Sequence, residues 1–426
     1  MLNRSVAPAF NKIQRVNIQQ AETHYLSNGI PVHLIKAGKQ PVVKVECILH
    51  SGKKFESKDG VAFFTARMLN AGTRHRNASE MAHFIDYLGA YLEINAGYDY
   101  VTIAFYSLEK YVSKLIRLLK EILSEALFPE DELSLMQNMV SQDLKMKLEK
   151  SNLLAYKKFR EVIFSGNPYG KDLEEHHIRA ISRDDLREFY QQILFNNPEF
   201  ILSGHFSDDV LKELEAQFGA DHLNNIKSAD FILDYNPARK VIAKEAASQS
   251  SIKIGKLLFN KNHPDYLDIL IVNEILGGYF GSRLMKNIRE EKGYTYGVYS
   301  RIMNFKSAGY FMIGADVKKE FTREAIAEIY REIRDLQENL VPEDELEMVR
   351  NQMLGSFLNE INSPFALAEK FKSVHYHGLG YDFYQHFVEK INHITSGKIM
   401  EISNKHLNLD SLTEIVVGND QQVQAL

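Results

Sequence analysis

The sequence predicts an α+β fold: two homologous domains, each a mostly antiparallel sheet packed with helices. Three observations predict it. Leu127-Phe128-Pro129-Glu130-Asp131-Glu132-Leu133 returns 213 residues later as Leu340-Val341-Pro342-Glu343-Asp344-Glu345-Leu346. Ile178, Ile181, Ser182 and Leu186 match Ile391, Ile394, Thr395 and Ile399 at the same offset. Both halves also mix strand-like and helix-like runs. One match alone suits a common helix start, because proline and acids favour a first turn. Two separated matches at one offset point to an internal repeat. The first copy is placed at residues 1–225 and the second at 226–426, with a linker around Asn224 to Lys240 and a turn signal at Asn236-Pro237.

In the first copy, Val32-His33-Leu34-Ile35 and Val42 to Leu49 read as strands. Tyr91 to Ile94 and Tyr100 to Phe105 do too, by β-branched and aromatic content. Val112, Leu115, Ile116, Leu119, Ile122 and Leu123 recur with helical period and mark an amphipathic helix. Ser182 suits the N-cap of a helix over Asp184 to Leu194. In the second copy, Ser251 to Phe259 and Tyr310 to Ala315 are strand candidates, and Glu324 to Leu336 and Glu343 to Phe357 are helical. Their apolar stripes read as core faces.

The chain has 426 residues, enough for two domains with ample core, and a net charge of −5 that argues against nucleic-acid binding. Its one cysteine, Cys47, lies in a strand-like run and reads as a small buried apolar residue. Met1 to Pro8 lacks the apolar run of a signal peptide, and no apolar stretch is long enough to span a bilayer. The expectation is a cytoplasmic protein that engages no membrane.

One stretch has the frame of a metal-binding helix without its chemistry. Gly60-Val61-Ala62-Phe63-Phe64-Thr65-Ala66-Arg67-Met68 is followed by Gly72-Thr73. It resembles the metal helix of the insulinase/pitrilysin-like zinc peptidases, G-x-A-H-F-x-E-H-M and then G-T. Two histidines four apart share a helix face and can reach one metal, and a glutamate beside the second can act as base. The resemblance puts those three groups at 63, 67 and 66, where this chain has Phe63, Arg67 and Ala66. Phe63 offers no lone pair, Ala66 no base, and Arg67 is a permanent cation. The resemblance places a third ligand at or near Asp143. A salt bridge between Arg67 and Asp143 is expected where the metal would have been, since an unpaired buried charge is costly; the alternative is two unrelated surface charges.

Other segments carry the same resemblance. Ser51-Gly52 with Glu56 resembles the family's G-S-x-x-E. Leu88-Gly89-Ala90-Tyr91, leading to Asn95-Ala96, resembles its substrate-edge region, where a peptide adds as a strand; Gly89 and Asn95 equally suit plain turn chemistry. Leu276-Gly277-Gly278-Tyr279-Phe280-Gly281-Ser282-Arg283-Leu284 and then Arg289-Glu290-Glu291-Lys292-Gly293-Tyr294-Thr295-Tyr296 resemble its C-terminal signature, L-G-G-x-x-S-S-R-L with R-E-K-R-G-L-A-Y. Gly277 and Gly278 give flexibility or a close backbone approach near substrate. In active members the arginine and tyrosine of that signature bind substrate and stabilise the oxyanion at the zinc site. Here they are Arg289 and Tyr296; the alternative is a surface ion pair for Arg289 and packing for Tyr296.

The resemblance is to the short, two-domain, mitochondrial-processing-peptidase-type branch, whose subunits form half of a clamshell, and this chain is identified as a member lacking the zinc motif. It implies a zinc-free subunit, inactive alone, that pairs in a dimer with an H-x-x-E-H-bearing homologue and supplies Arg289 and Tyr296 to hydrolysis of peptides or unfolded polypeptides. No cofactor is expected in this chain; zinc is expected only in the partner. The alternative is a non-catalytic peptide-binding or scaffold homologue. His176-His177 and the pair His375 and His377 lack a completing cysteine or acid, so both read as surface histidines.

Overall fold

The computed structural model describes residues 12–227, 233–245 and 247–418. The segment Met1 to Pro8 and part of the expected linker, residues 228–232, lie outside them. The first half contributes β1 (Glu22–Tyr25), β2 (Pro31–Lys36), β3 (Val42–Leu49), α1 (Val61–Met68), α2 (Ala78–Tyr87), β4 (Tyr91–Ala96), β5 (Val101–Leu108), α3 (Val112–Glu125) and α4 (Glu130–Leu148). It continues through α5 (Ser151–Ile163), α6 (Glu175–Ala180), α7 (Arg183–Phe189), β6 (Glu199–Gly204) and α8 (Asp209–Phe218). The second half contributes β7 (Arg239–Ala243), β8 (Gln249–Leu258), α9 (Tyr266–Asn273), β9 (Thr295–Asn304), β10 (Gly309–Lys318), α10 (Thr322–Glu338) and α11 (Glu343–Asn359). It ends with α12 (Pro364–His375), α13 (Asp382–His393), α14 (Ser396–His406) and β11 (Thr413–Gly418).

The two sheets share one plan. The first runs β1-β2-β6-β3-β5-β4 and the second β7-β11-β8-β10-β9. Among the described strands, β2 with β6 and β7 with β11 pair in parallel, and the other sheet neighbours are antiparallel. The repeated motif does the same work in both: Pro129 and Pro342 are the N-caps of α4 and α11, each followed by three acids in the first turn. Carboxylates there favour the positive end of the helix dipole. Ser182 caps α7 in a reciprocal pair with Asp185, and the helix then widens to a π-turn at Tyr190–Leu194.

Burial follows the sequence pattern. On α3, Val112, Leu115, Ile116, Leu118, Leu119 and Ile122 all face the core. Each such side chain contributes about 1.5–3 kcal/mol when removed from water. Cys47 is fully buried on β3.

The halves also exchange helices. α5, from the first half, packs on β8 and β11 of the second sheet. Its Ala155, Phe159 and Ile163 share a core with Tyr310, Met312, Ile415 and Val417. α12, which starts 213 residues after α5, packs on β2 and β6 of the first sheet. The approach of α5 requires a glycine below it: a Cβ on Gly255 would stand 2.9 Å from Phe159 and 2.0 Å from the Phe311 carbonyl oxygen. Each half therefore completes the other's core.

Candidate functional site

Four regions matter: α1, the β4 edge of the first sheet, the β9 edge of the second, and the seam under α12. α1 begins at Gly60, whose φ of 101° suits glycine, and Glu56 accepts the free Ala62 amide at 3.0 Å. Burial raises the Glu56 pKa, and these backbone contacts oppose it. Ser51 donates to the Leu194 carbonyl at 2.8 Å. The whole frame of the metal helix is therefore built. Ala66 is buried, while Phe63 is half-buried against the first core, where Met136, Val140 and Leu144 of α4 also pack.

The expected salt bridge is not formed. Arg67 is exposed and lies over the Phe63 ring, 5.4 Å from its centre. Asp143 is exposed too and pairs with Lys147 one turn along α4 at 2.6 Å. The expectation rested on two buried charges; neither is buried, so nothing compels them to meet.

The second-half signature is anchored by Arg283, which grips Glu345 through two nitrogens at 2.9 and 2.8 Å and reaches Asp335 at 2.6 Å. Glu345 belongs to the repeated motif, so that motif also holds the signature loop in place. Gly277 is buried where a Cβ would stand 2.6 Å from the Ser300 amide. Gly278 faces a cavity of about 590 Å³ with Tyr279 and Phe280.

Arg289 is half-buried in the π-helical turn Met285–Glu291, its guanidinium 4.5 Å from the centre of the Phe280 ring. It forms no ion pair among the described residues. Tyr296 lies on β9, one of the two edge strands of the second sheet, at a bulge against Ala315 and Val317. Thr295 stabilises this bulge, donating to the Asp316 carbonyl at 2.6 Å and accepting from the Gly297 amide at 3.1 Å. A bulge re-aims side chains, and Tyr296 is left 90 % exposed.

In the first sheet β4, one of its two edge strands, carries Asn95 and Ala96. Asn95 donates to Glu93 at 2.7 Å and faces a cleft of about 630 Å³ between the halves. Lys261, Tyr266 and Ser373 line both this cleft and the cavity beside Gly278. Burial and the nearby Lys370 lower the Lys261 pKa to about 8.

The seam under α12 holds a cluster that sequence reasoning missed. Glu199, at the start of β6, faces His50 at 2.6 Å, His375 at 2.8 Å and His33 at 3.4 Å. The expectation that His375 and His377 are surface histidines is corrected here. His375 ends α12 over the first sheet, and His377 is half-buried beside the Phe305 carbonyl. Burial raises the Glu199 pKa, but the imidazoles around it, His33, His375 and His50, outweigh it and hold the carboxyl far below the usual range. The cluster joins four distant chain positions, so no local spacing could announce it.

Two family models match the chain in succession. Residues 32–176 match "Insulinase (Peptidase family M16)" and residues 180–353 match "Peptidase M16 inactive domain". The chain belongs to the insulinase family, peptidase family M16. Among curated relatives, an "Uncharacterized zinc protease YmxG" of Bacillus subtilis is 22% identical, over 79% of this chain and 83% of that protein. A "Non-peptidase homolog YmxG" of Helicobacter pylori is 24% identical over 85% of each. In fold, the chain matches an M16 inactive-domain structure from Pseudomonas fluorescens with a TM-score of 0.84 at 22% identity, covering 94% of this chain and 98% of that one. It also matches a chain of complex III2 from Candida albicans with a TM-score of 0.76 at 16% identity, covering 93% and 95%.

Within the insulinase family this chain is an inactive homologue. Its metal-helix frame is folded, and the H-x-x-E-H groups are replaced by Phe63, Ala66 and Arg67. An apolar ring, a methyl group and a guanidinium can neither ligate zinc nor activate water.

Proposed function

We propose that the chain is a subunit of a heterodimeric metallopeptidase, inactive alone, that serves a zinc-bearing, H-x-x-E-H-containing homologue. Arg289 and Tyr296 bind the substrate peptide and steady the oxyanion that forms at the partner's zinc. The observation that carries this reading is Tyr296: a bulge turns it out of the sheet, and at 90 % exposure it does no packing work in its own chain. A phenol and a guanidinium on adjoining elements are suited to developing negative charge. Peptides or unfolded polypeptides would lie along the open β4 edge near Asn95 and Ala96, using main-chain hydrogen bonds. With its one cysteine buried, the subunit needs no oxidising compartment, and we place it in the cytoplasm.

The test is reconstitution. The chain is mixed with an H-x-x-E-H homologue from the same source and peptide hydrolysis is followed. Activity from the pair but from neither chain alone supports the reading; an inactive pair, or full activity with Arg289→Ala, defeats it.

One observation favours a second reading, a non-catalytic scaffold or peptide-binding homologue. Arg289 already stacks on Phe280 of its own chain, as a residue with a structural role would. Under that reading Arg289→Ala lowers stability and changes no partner's activity.

A further inference from the structure

The histidine–glutamate cluster between the halves has no place in the reaction proposed above. His33, Glu199 and His375 each offer one ligand atom, and these atoms lie within 4.8 Å of one another. His33 and Glu199 belong to the first sheet, on β2 and β6; His375 is the last residue of α12, the helix received from the second half. The site is set into the seam and open on one side: the His33 side chain is 4% exposed and that of Glu199 11%, while that of His375 is 33% exposed.

Two features suit a bound cation. The Nε2 atom of His33 is buried and has no hydrogen-bond partner. It stands 3.4 Å from Oε2 of Glu199, too far and poorly placed for a hydrogen bond. His375 Nε2 meets the same oxygen at 2.8 Å. In a tetrahedral zinc site with bonds of about 2.0–2.1 Å, neighbouring ligand atoms lie roughly 3.3 Å apart. The His33–Glu199 spacing already has that length, the His375–Glu199 spacing needs to open by about half an ångström, and the two histidine nitrogens, which lie within 4.8 Å of each other, would close toward it on binding.

The surroundings are those of an oriented ligand set. The other ring nitrogen of His33 is hydrogen-bonded to the Thr23 hydroxyl at 3.0 Å, which fixes the ring with Nε2 inward. His50 holds the remaining oxygen of Glu199 at 2.6 Å. The His50 backbone is in turn gripped by buried Asn196, whose side chain donates to its carbonyl at 2.7 Å. Phe371 packs against both liganding rings, 4.7 Å from His33 and 4.8 Å from His375. Outer partners of this kind set tautomer and orientation in metal sites.

We propose that His33 Nε2, His375 Nε2 and Glu199 Oε2 bind one divalent transition metal of the zinc class, which pins the exchanged helix α12 to the first sheet. Imidazole with carboxylate suits zinc and its neighbours, and excludes neither nickel nor copper by chemistry alone. The site shares no residue with α1 and does not depend on the reading of Arg289 and Tyr296. It is structural: its ligands come from both halves, so occupancy couples them.

The experiment uses the full chain, stripped of metal with a chelator and dialysed. Zinc is titrated against a chromophoric competitor, and Co²⁺ is followed by its visible absorption. The expected result is one Zn²⁺ per chain, Co²⁺ bands that zinc displaces, and loss of at least a hundredfold in affinity in His33→Ala, His375→Ala and Glu199→Gln. His50→Ala should bind 10–100-fold more weakly, the usual effect of an outer partner. His176→Ala, at the adjacent pair on α6, should bind like the parent chain. Should a ligand variant fail to fold, the Co²⁺ spectrum of the parent decides alone. Absence of stoichiometric binding by the parent at micromolar metal, or equal affinity in all three folded ligand variants, overturns the site.

Discussion

Truncating Phe159 in α5 should loosen the second sheet although the residue belongs to the first half of the chain. Phe159 is fully buried, and its ring lies 6.0 Å from that of Tyr310 on β10. Its core cluster holds Tyr310 and Met312 of β10 and Ile415 and Val417 of β11, with Phe164, Tyr169 and Ala308 beside them. Phe159→Ala removes that ring and leaves a cavity that the flanking sheet fills only in part, a loss of about 3–5 kcal/mol. At 1.4 kcal/mol per tenfold, opening of the affected unit becomes roughly 100- to 5000-fold more frequent. Native-state hydrogen exchange, read strand by strand, is the assay. Amides of β8, β10 and β11 should lose protection by that factor, while those of β3 and β5 change far less. The converse substitution, Phe371→Ala in α12, should act on β2 and β6. If Phe159→Ala instead exposes the first sheet and spares the second, the exchange of helices does not carry the stability assigned to it.

Arg289→Ala should lower the turnover of the reconstituted pair by about 10²–10³-fold, the measured range for one oxyanion donor, with the melting temperature of the chain little changed. Tyr296→Phe should do the same by kinetics and leave stability untouched, because a 90 % exposed hydroxyl supports no core. Arg67→Ala and Asp143→Ala should each change stability by less than about 0.5 kcal/mol, and a double-mutant cycle should find no coupling between them. A coupling near that of a real ion pair would restore the bridge that the structure lacks. The depressed pKa of Glu199 sets a pH dependence: its folded value lies below the ordinary carboxylate value, about 4.3, so its contribution is whole above that pH and fades as pH falls further. In chelator, the urea midpoints of the parent and Glu199→Gln should differ most above about pH 4.3 and draw together only gradually as pH falls below it.

Local chemistry was legible because it repeats or alternates over a few residues. β3 spans the apolar run Val42–Leu49, α3 carries its apolar stripe, and Ser182 caps α7 as its residue type predicts. Loss of the metal ligands could be read from α1 alone, since no fold turns Phe63, Ala66 or Arg67 into a zinc ligand. The Arg67–Asp143 pairing failed because it assumed burial, and burial is not a property of a residue type. Asp143 had a lysine four residues away on its own helix, the shorter and more probable partner once both face water.

The sequence by itself determined the duplicated α+β plan and the stripped metal helix, and displayed the signature-like segment around Arg289 and Tyr296, because each is written in contiguous residues. Only the tertiary structure decided that α5 and α12 trade places, that a bulge turns Tyr296 outward, and that His33, His50, Glu199 and His375 converge. The physical reason is range. Helix period, caps and motifs are set by neighbours along the chain, whereas a cluster drawn from β2, the end of β3, β6 and α12 exists only once two sheets and an exchanged helix have packed.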